Sequence, residues 1–286
     1  MYTNNGDYMK YFKNILNGIL IGIVNPIPGV SGGTIMMMLG IYEKVTLYIN
    51  NLFSNKKIKM KELFYLLQVA CGLLVGIVVF ANILQILYKL YLPQTLFCFS
   101  GIILFCIPSL IKKEMPHKKF NYFYFILGFL IIFILYYFSK HTTLLYFSDD
   151  KVTMSILIQM FLIGTINGGA TIFPGISGSM LLLVLGRYYI YNYYLSKINT
   201  FDINIIIPVI FIFLGILFGM ILSSKISNYL LRKYKRKTMS LILGFIISSS
   251  IVILPFNYDF NILSLTTSIL FFFTGGLITL LIAKNT

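Results

Sequence analysis

A proline–glycine motif occurs twice in this chain, and it restricts the fold more than any other feature of the sequence. The first copy, Pro28–Gly33, reads PGVSGG, and the second, Pro174–Ser179, reads PGISGS 146 residues later. Both copies lie within apolar segments. Proline and consecutive glycines interrupt a membrane helix, because they leave backbone N–H and C=O groups that lipid cannot satisfy. The recurrence of such an interruption at a fixed distance is typical of internally duplicated transporters, in which it marks the binding site.

Composition predicts an all-α polytopic membrane protein. The chain is 58% hydrophobic and only 11% charged, with a mean hydropathy of +0.87. A segment of about 20 apolar residues can cross a hydrocarbon core of about 30 Å. Six segments meet this requirement, at approximately 63–88, 95–111, 120–139, 205–224, 239–255 and 263–283. Two further apolar blocks, 11–50 and 153–196, contain the motifs.

The chain divides into two repeats, 1–143 and 144–286. Gly40 follows the first motif at the position that Gly186 takes after the second. Each motif block has apolar segments of about ten residues beside the motif, and such a segment rises only about 15 Å as a helix, half of the hydrocarbon thickness. We therefore expect each half to be a re-entrant helical hairpin followed by three transmembrane helices. Glycine pairs in the spans, Gly72/Gly76 and Gly215/Gly219, indicate close helix packing instead.

Charge placement predicts the topology. Although the net charge is +15, the cations cluster in short loops: Lys56, Lys57, Lys59 and Lys61; Lys112, Lys113, Lys118 and Lys119; and Arg232, Lys233, Lys235, Arg236 and Lys237. A cytoplasmic N-terminus places all three clusters inside. Three spans separate the hairpins, which therefore enter from opposite sides and form inverted-topology repeats whose tips can meet near the midplane. A nucleic-acid function is excluded, because there is no soluble domain to carry a basic face.

The motifs are suited to an anion. Helix N-termini present unpaired N–H groups and a positive dipole end, and glycine lets a ligand approach the backbone. The predicted substrate-binding residues of the two motifs are Ser31, Gly32, Gly33, Thr34, Ser177, Gly178 and Ser179. The alternative is that these small residues serve close packing and that the hydroxyls bond their own backbone.

Two charged residues lie just beyond the motifs. Arg187 follows Gly186, and an arginine there can bind a phosphate through its planar fork. Alternatively, it extends to the membrane interface beside Tyr188. Glu43 is its counterpart in the first half, and it either carries a coupling proton or ion, or pairs with Lys44 at the surface.

At these motifs the chain resembles the PopT family of bacterial polyprenyl-phosphate transporters, formerly a domain of unknown function. The resemblance lies in Pro28–Thr34 followed by Gly40, Tyr42 and Glu43, and in Pro174–Ser179 followed by Gly186 and Tyr188. It implies a multi-pass protein of the bacterial cytoplasmic membrane that moves undecaprenyl phosphate from the outer to the inner leaflet. This movement recycles the lipid carrier for peptidoglycan and other envelope polymers. Its partner is the polyprenyl phosphate lipid, and no cofactor or metal is implied.

Two other functions would use some of the same sequence features. A membrane phosphatase needs a nucleophile with an acid or base, or a metal cluster, and the motif blocks contain no histidine and only one carboxylate, Glu43. The chain is therefore predicted not to be an enzyme. A channel or secondary transporter for a small soluble anion could use the same helix N-termini, and the residues alone leave it open.

Overall fold

The computed structural model describes residues 5–25, 31–52, 59–115, 120–141 and 152–284. Some residues of the sequence predictions lie outside these ranges: Pro28, Gly29 and Val30 of the first motif, and Lys56, Lys57, Lys118 and Lys119 of the basic loops. The described residues form twelve α-helices and one 3₁₀ turn, and no strand occurs among them. The predicted all-α class is therefore confirmed.

The order of helices in the first half recurs in the second. The first half contains α1 (Asn5–Val24), α2 (Gly32–Met38), α3 (Tyr42–Leu52), α4 (Met60–Leu90), α5 (Leu92–Glu114) and α6 (Tyr122–His141). The second contains α7 (Met154–Ile172), α8 (Gly178–Val184), α9 (Tyr188–Ser196), α10 (Ile203–Lys233), α11 (Lys235–Val252) and α12 (Ile262–Lys284), with the 3₁₀ turn Ile198–Thr200 before α10. Each half thus has one long helix, two short helices and three long helices. A helix also occupies each of the six segments predicted to span.

The helices have the length and surface of a multi-pass membrane protein. Among the described residues, α4, α5, α7, α10 and α12 are long and apolar enough to cross a bilayer, and α1 and α6 contain shorter apolar stretches. Large hydrophobic side chains are exposed along the outside of α4, α6, α10 and α12. In contrast, α11 is buried on most of its surface, and Ile242 and Ile246 are fully buried. Because α11 lies at the centre of the bundle, its serine side chains are buried against other helices and do not face lipid.

The first arm of each motif block is longer than the sequence predicts. The expected arms have about ten residues, whereas α1 has 20 and α7 has 19. At 1.5 Å per residue, these helices are about 30 Å long. The difference arises because the motif fixes where the preceding helix ends but does not restrict where that helix begins. Upstream polar residues such as Asn14 and Asn17 fit into the helix, since the backbone ladder does not depend on side-chain polarity.

The second arm of each block is broken at a glycine. Gly40 and Gly186 have φ values of 68° and 65°, a left-handed conformation that glycine adopts without a Cβ penalty. The next residue donates its N–H to a carbonyl five residues earlier, Ile41 to Met36 at 3.0 Å and Arg187 to Leu182 at 2.8 Å. This is the Schellman ending of a helix. It separates α2 from α3 and α8 from α9 in the same way.

The paired glycines of the spans bring helix backbones into contact, as predicted. A Cβ added at Gly72 would lie 2.1 Å from the carbonyl oxygen of Ile15, and one added at Gly215 would lie 2.1 Å from that of Phe161. The equivalent contacts hold α1 against α4 and α7 against α10. Glycine also allows close approach where α5 crosses α12 and where α6 crosses α11. When each helix is replaced by its equivalent in the other half, α1–α4 becomes α7–α10 and α5–α12 becomes α6–α11. The set of four helix pairs is therefore unchanged by this exchange.

The described parts of the three basic clusters gather at one end of the bundle. Lys235, at the start of α11, forms a 2.8 Å ion pair with Glu114 at the end of α5. The end of α3 meets the start of α4, where Asn51 donates to Glu62 at 3.1 Å. Because α3 also packs along the last third of α10, which leads directly into α11, these segments share one end.

Candidate functional site

The first motif continues directly into α2, whose seven residues are all buried. Ser31 is the N-cap of this helix, and its hydroxyl oxygen accepts the N–H of Gly33 at 3.2 Å. The same hydroxyl donates to the backbone carbonyl of Phe173 at 2.8 Å. Since Phe173 immediately precedes the second motif, this bond joins residues 142 positions apart.

The second motif makes a tight turn between α7 and α8 and bonds back to the first. Its Gly175 has a φ of 82°, and its N–H donates to the hydroxyl oxygen of Thr34 at 2.9 Å. Gly33 packs against the same turn, since an added Cβ would lie 2.5 Å from the carbonyl oxygen of Ile172. We call these two hydrogen bonds and this packing the inter-motif contact. The two motifs thus form one structural unit, as the sequence predicts.

The inter-motif contact occupies groups that the sequence assigns to an anion. The hydroxyls of Ser31 and Thr34 are buried and bonded to the opposite motif, and Gly33 has no room on its outer side. Gly32 is less crowded, because its nearest neighbours to an added Cβ are 3.4 Å away. In this conformation, the hydroxyls of the first motif therefore join the two halves of the protein.

The second motif has a more accessible side. Gly178 and Ser179 are half-buried, and the hydroxyls of Ser177 and Ser179 lie 2.9 Å apart. Ser177 is the N-cap residue of α8, but its side chain makes no capping bond to that helix. The polar groups of this turn are thus less committed to the backbone than those of the first motif.

Arg187 lies at the break between α8 and α9, on the same block as the second motif. It is the N-cap residue of α9, its side chain is half-buried, and its Nη1 donates to Oε1 of Gln159 at 3.3 Å. Gln159 belongs to α7, and the short helix α8 separates it from Arg187 along the chain. The guanidinium is therefore hydrogen-bonded to α7 and does not project away from the protein.

Sequence reasoning missed two polar side chains beside the second motif, Asn167 and Tyr191. Asn167 of α7 lies against the start of α8, where its Oδ1 would be 2.1 Å from a Cβ added at Gly178. Its amide donates to the hydroxyl of Tyr191 at 2.9 Å. An asparagine in an apolar segment is a signal that could have identified this position, because buried polar groups in membrane helices are costly without partners.

Glu43 is placed apart from the inter-motif contact. It lies in the first turn of α3, where its side chain is exposed. The ammonium of Lys44 lies 3.7 Å from the centroid of the Tyr65 ring. The structure therefore shows a cation–π contact for Lys44. The coupling role of Glu43 stays a prediction.

A row of polar contacts joins α3 to the last third of α10. The hydroxyls of Tyr42 and Ser227 are hydrogen-bonded, and the hydroxyl of Thr46 donates to Oδ1 of Asn228 at 3.0 Å. One turn further along α3, Asn50 exchanges two hydrogen bonds with Ser224. These contacts, which we call the α3–α10 row, close the bundle at its basic end.

These features define a class: a polytopic helical membrane protein in which the helix start after the first proline–glycine motif meets the turn of the second motif. Comparison with known proteins gives the family. The family model described as undecaprenyl phosphate translocase-like matches residues 21–280. The chain belongs to this family. Because the family is named for a translocase, the expectation that the chain is not an enzyme is supported.

Curated relatives extend over most of the chain. It is 31% identical over 291 residues to a polyprenyl-phosphate transporter of Staphylococcus aureus, covering 97% of this chain and 99% of the relative. It is 27% identical over 256 residues to a polyprenyl-phosphate transporter of Vibrio cholerae, covering 85% and 78%. No solved structure matches the chain. The resemblance noted at the motifs is thus confirmed at the level of the family.

Proposed function

We propose that this protein translocates undecaprenyl phosphate from the outer to the inner leaflet of the bacterial cytoplasmic membrane and so recycles the carrier for envelope polymer synthesis. The family and the names of both relatives support a polyprenyl phosphate as substrate. The observation that carries the proposal is the inter-motif contact. It joins the start of α2 in the first repeat to the turn of the second motif, and a substrate that separated the two would reorganise both halves.

The repeats are proposed to be inverted about an axis in the membrane plane, with the N-terminus and the basic end in the cytoplasm. Equivalent helix pairs in the two halves and the clustering of Lys113, Lys235 and their neighbours at one end support this arrangement. Each motif block would then enter and leave on one side of the membrane, as a re-entrant hairpin whose second arm is broken at Gly40 or Gly186.

The phosphate head is proposed to bind first at the second motif. Gly178 and Ser179 are half-buried, Ser177 is buried but makes no capping bond to α8, and Arg187 supplies a cation held by Gln159. An arginine can bind two phosphate oxygens at once, and charge-assisted bonds of this kind are about twice as strong as neutral ones.

The first motif is proposed to contribute after the inter-motif contact opens. Ser31 and Thr34 would then exchange their bonds to the second motif for bonds to the phosphate, and Gly32 and Gly33 would let the phosphate approach the backbone. Such an exchange keeps every buried donor paired, which matters because an unpaired buried donor costs about 1–3 kcal/mol. Glu43, exposed at the basic end, is proposed to couple transport to a proton or another ion.

Transport of labelled undecaprenyl phosphate in liposomes that contain the purified protein tests the function. We expect movement between leaflets at a rate well above protein-free liposomes, and little inhibition by excess inorganic phosphate or sulfate. If the lipid stays in its leaflet while inorganic phosphate is carried across, the soluble-anion transporter is correct and our proposal is wrong.

Glu43→Gln in the same assay should remove any stimulation by an imposed proton gradient.

Cysteine labelling tests the orientation. After replacement of Cys71, Cys98 and Cys106, single cysteines at Lys113 and Lys235 should react only with a reagent that reaches the cytoplasm. A cysteine at Asp259, between α11 and α12, should react from outside and serves as the control. Labelling of Lys113 from outside would contradict the proposed topology.

A further inference from the structure

A cavity of about 330 Å³ lies between α6, α10 and α11 at the basic end of the bundle. Its walls are apolar and aromatic, and they are formed mainly by Tyr124, Phe173, Leu230, Tyr234 and Leu241. The outer faces of α6 and α10 beside it expose large hydrophobic side chains. The volume is at the lower end of the range for ligand sites. We call this cavity the tail groove.

The inner end of the tail groove reaches the inter-motif contact. Phe173 lines the groove, and its backbone carbonyl accepts the hydrogen bond from Ser31. Its ring also packs against Phe245 of the central helix, with 6.3 Å between ring centroids. A molecule in the groove would therefore touch the residue that joins the second motif to the first.

A cation lies in the wall of this apolar cavity. Lys237 lines the groove, and its ammonium lies 5.4 Å from the centroid of the Tyr124 ring and 5.7 Å from that of Tyr234. The ion pair to Glu114 in this segment is made by Lys235 and not by Lys237. An ammonium above two aromatic rings in an apolar wall suits an amphipathic anion, with the charge at Lys237 and the apolar part against the rings.

The fold itself does not need a cation at this position. Thr95 and Thr238 are equivalent, because each hydroxyl donates to the carbonyl four residues earlier at the start of α5 or α11. Lys237 precedes Thr238, whereas Gln94 precedes Thr95 and donates to Thr267 of α12 at 3.1 Å. A neutral side chain thus occupies the equivalent position in the first half.

We propose that the tail groove holds the first units of the polyprenyl tail at the basic end, with Lys237 bound to the phosphate before release. This inference rests on the proposed function. The groove is far too small for a whole polyprenyl chain, so the rest of the tail lies in the bilayer between α6 and α10. The groove thus forms a second substrate position, distinct from the turn that contains Ser177 and Gly178.

Binding and transport by the full chain in lipid nanodiscs and liposomes test this proposal. Lys237→Gln introduces the residue of the equivalent position, and Leu241→Trp fills the groove. Lys233→Gln is the matched control, because Lys233 is also a cation above tyrosine rings but does not line the cavity. We expect about tenfold weaker binding of undecaprenyl phosphate for the two groove variants, the size of a lost charge-assisted contact or a blocked site, and less than twofold for the control.

Two further ligands separate the contribution of the head from that of the tail. The phosphate-free polyprenol should bind Lys237→Gln as well as it binds the unchanged protein, but should bind Leu241→Trp less well. Phosphatidylglycerol should compete poorly. If Lys237→Gln behaves like Lys233→Gln, or if phosphatidylglycerol competes as well as the substrate, the groove is not a substrate position. Failure of the unchanged protein to transport the lipid would instead refute the proposed function and the groove with it.

Discussion

Gly33→Ala is expected to reduce undecaprenyl phosphate transport to the background of protein-free liposomes. The added Cβ would lie 2.5 Å from the carbonyl oxygen of Ile172 and 2.9 Å from the nitrogen of Pro174. These are backbone atoms of a tight turn, so relief requires the two motifs to separate. The bonds from Ser31 to Phe173 and from Gly175 to Thr34 would then be lost together. Overpacking of this kind typically costs about 1–3 kcal/mol.

Gly32→Ala is the matched control for Gly33→Ala. It adds the same methyl group one residue earlier, where the nearest atoms, on Ile21 and Thr171, are 3.4 Å away. Because Gly32 is itself a proposed phosphate-binding residue, the two variants are compared by stability: we expect Gly32→Ala to keep a melting temperature near that of the unchanged protein and Gly33→Ala to lower it. Equal melting temperatures for the two variants would show that Gly33 has no special role in the inter-motif contact.

Arg187→Ala is expected to weaken undecaprenyl phosphate binding by about tenfold to a hundredfold and to slow transport accordingly. A hydrogen bond to a charged group contributes about 1.5–3 kcal/mol, and a phosphate loses such a bond when the guanidinium is removed. Arg187→Lys should recover only part of the loss, because an ammonium cannot bind two phosphate oxygens in one plane. Titration of labelled lipid into purified protein measures the change.

Two controls separate phosphate binding by Arg187 from a general loss of charge or stability. Arg232→Ala removes an exposed arginine at the basic end and should leave binding unchanged. Gln159→Ala keeps the guanidinium but removes the partner at 3.3 Å, so a smaller loss is expected. Unchanged transport by folded Arg187→Ala would show that the residue serves the membrane interface, which is the alternative that its neighbour Tyr188 suggests.

The sequence predicted those parts of the fold that depend on local chemistry. A proline followed by closely spaced glycines interrupts a membrane helix, so the breaks at the motifs followed from the composition of the motifs. A single proline does not suffice, because Pro108 and Pro208 lie inside α5 and α10. The glycine pairs likewise predicted backbone contact, because only a helix without side chains on one face can approach another so closely. The matching positions of Gly40 and Gly186 indicated an internal repeat, but the sequence did not predict that both glycines, with their positive φ, break a helix.

The missing parts depend on partners distant in the chain. The α3–α10 row joins Tyr42, Thr46 and Asn50 to residues more than 170 positions away, and single-helix periodicity gives no sign of those partners. For the same reason, the sequence assigned the hydroxyls of Ser31 and Thr34 to a ligand, whereas the structure shows them bonded to the opposite motif. Asn167 was missed because a single polar residue in a span has many structural explanations.

The glycine crossings also restrict the mechanics of the protein. Two helices whose carbonyls and Cα atoms touch have no layer of flexible side chains between them, so they cannot slide or roll without collision. We therefore expect the pairs α1–α4 and α7–α10 to move as units if the protein rearranges. The rearrangement would then fall on the short helices between them, α2, α3, α8 and α9, with the positive-φ glycines Gly40 and Gly186 as the joints.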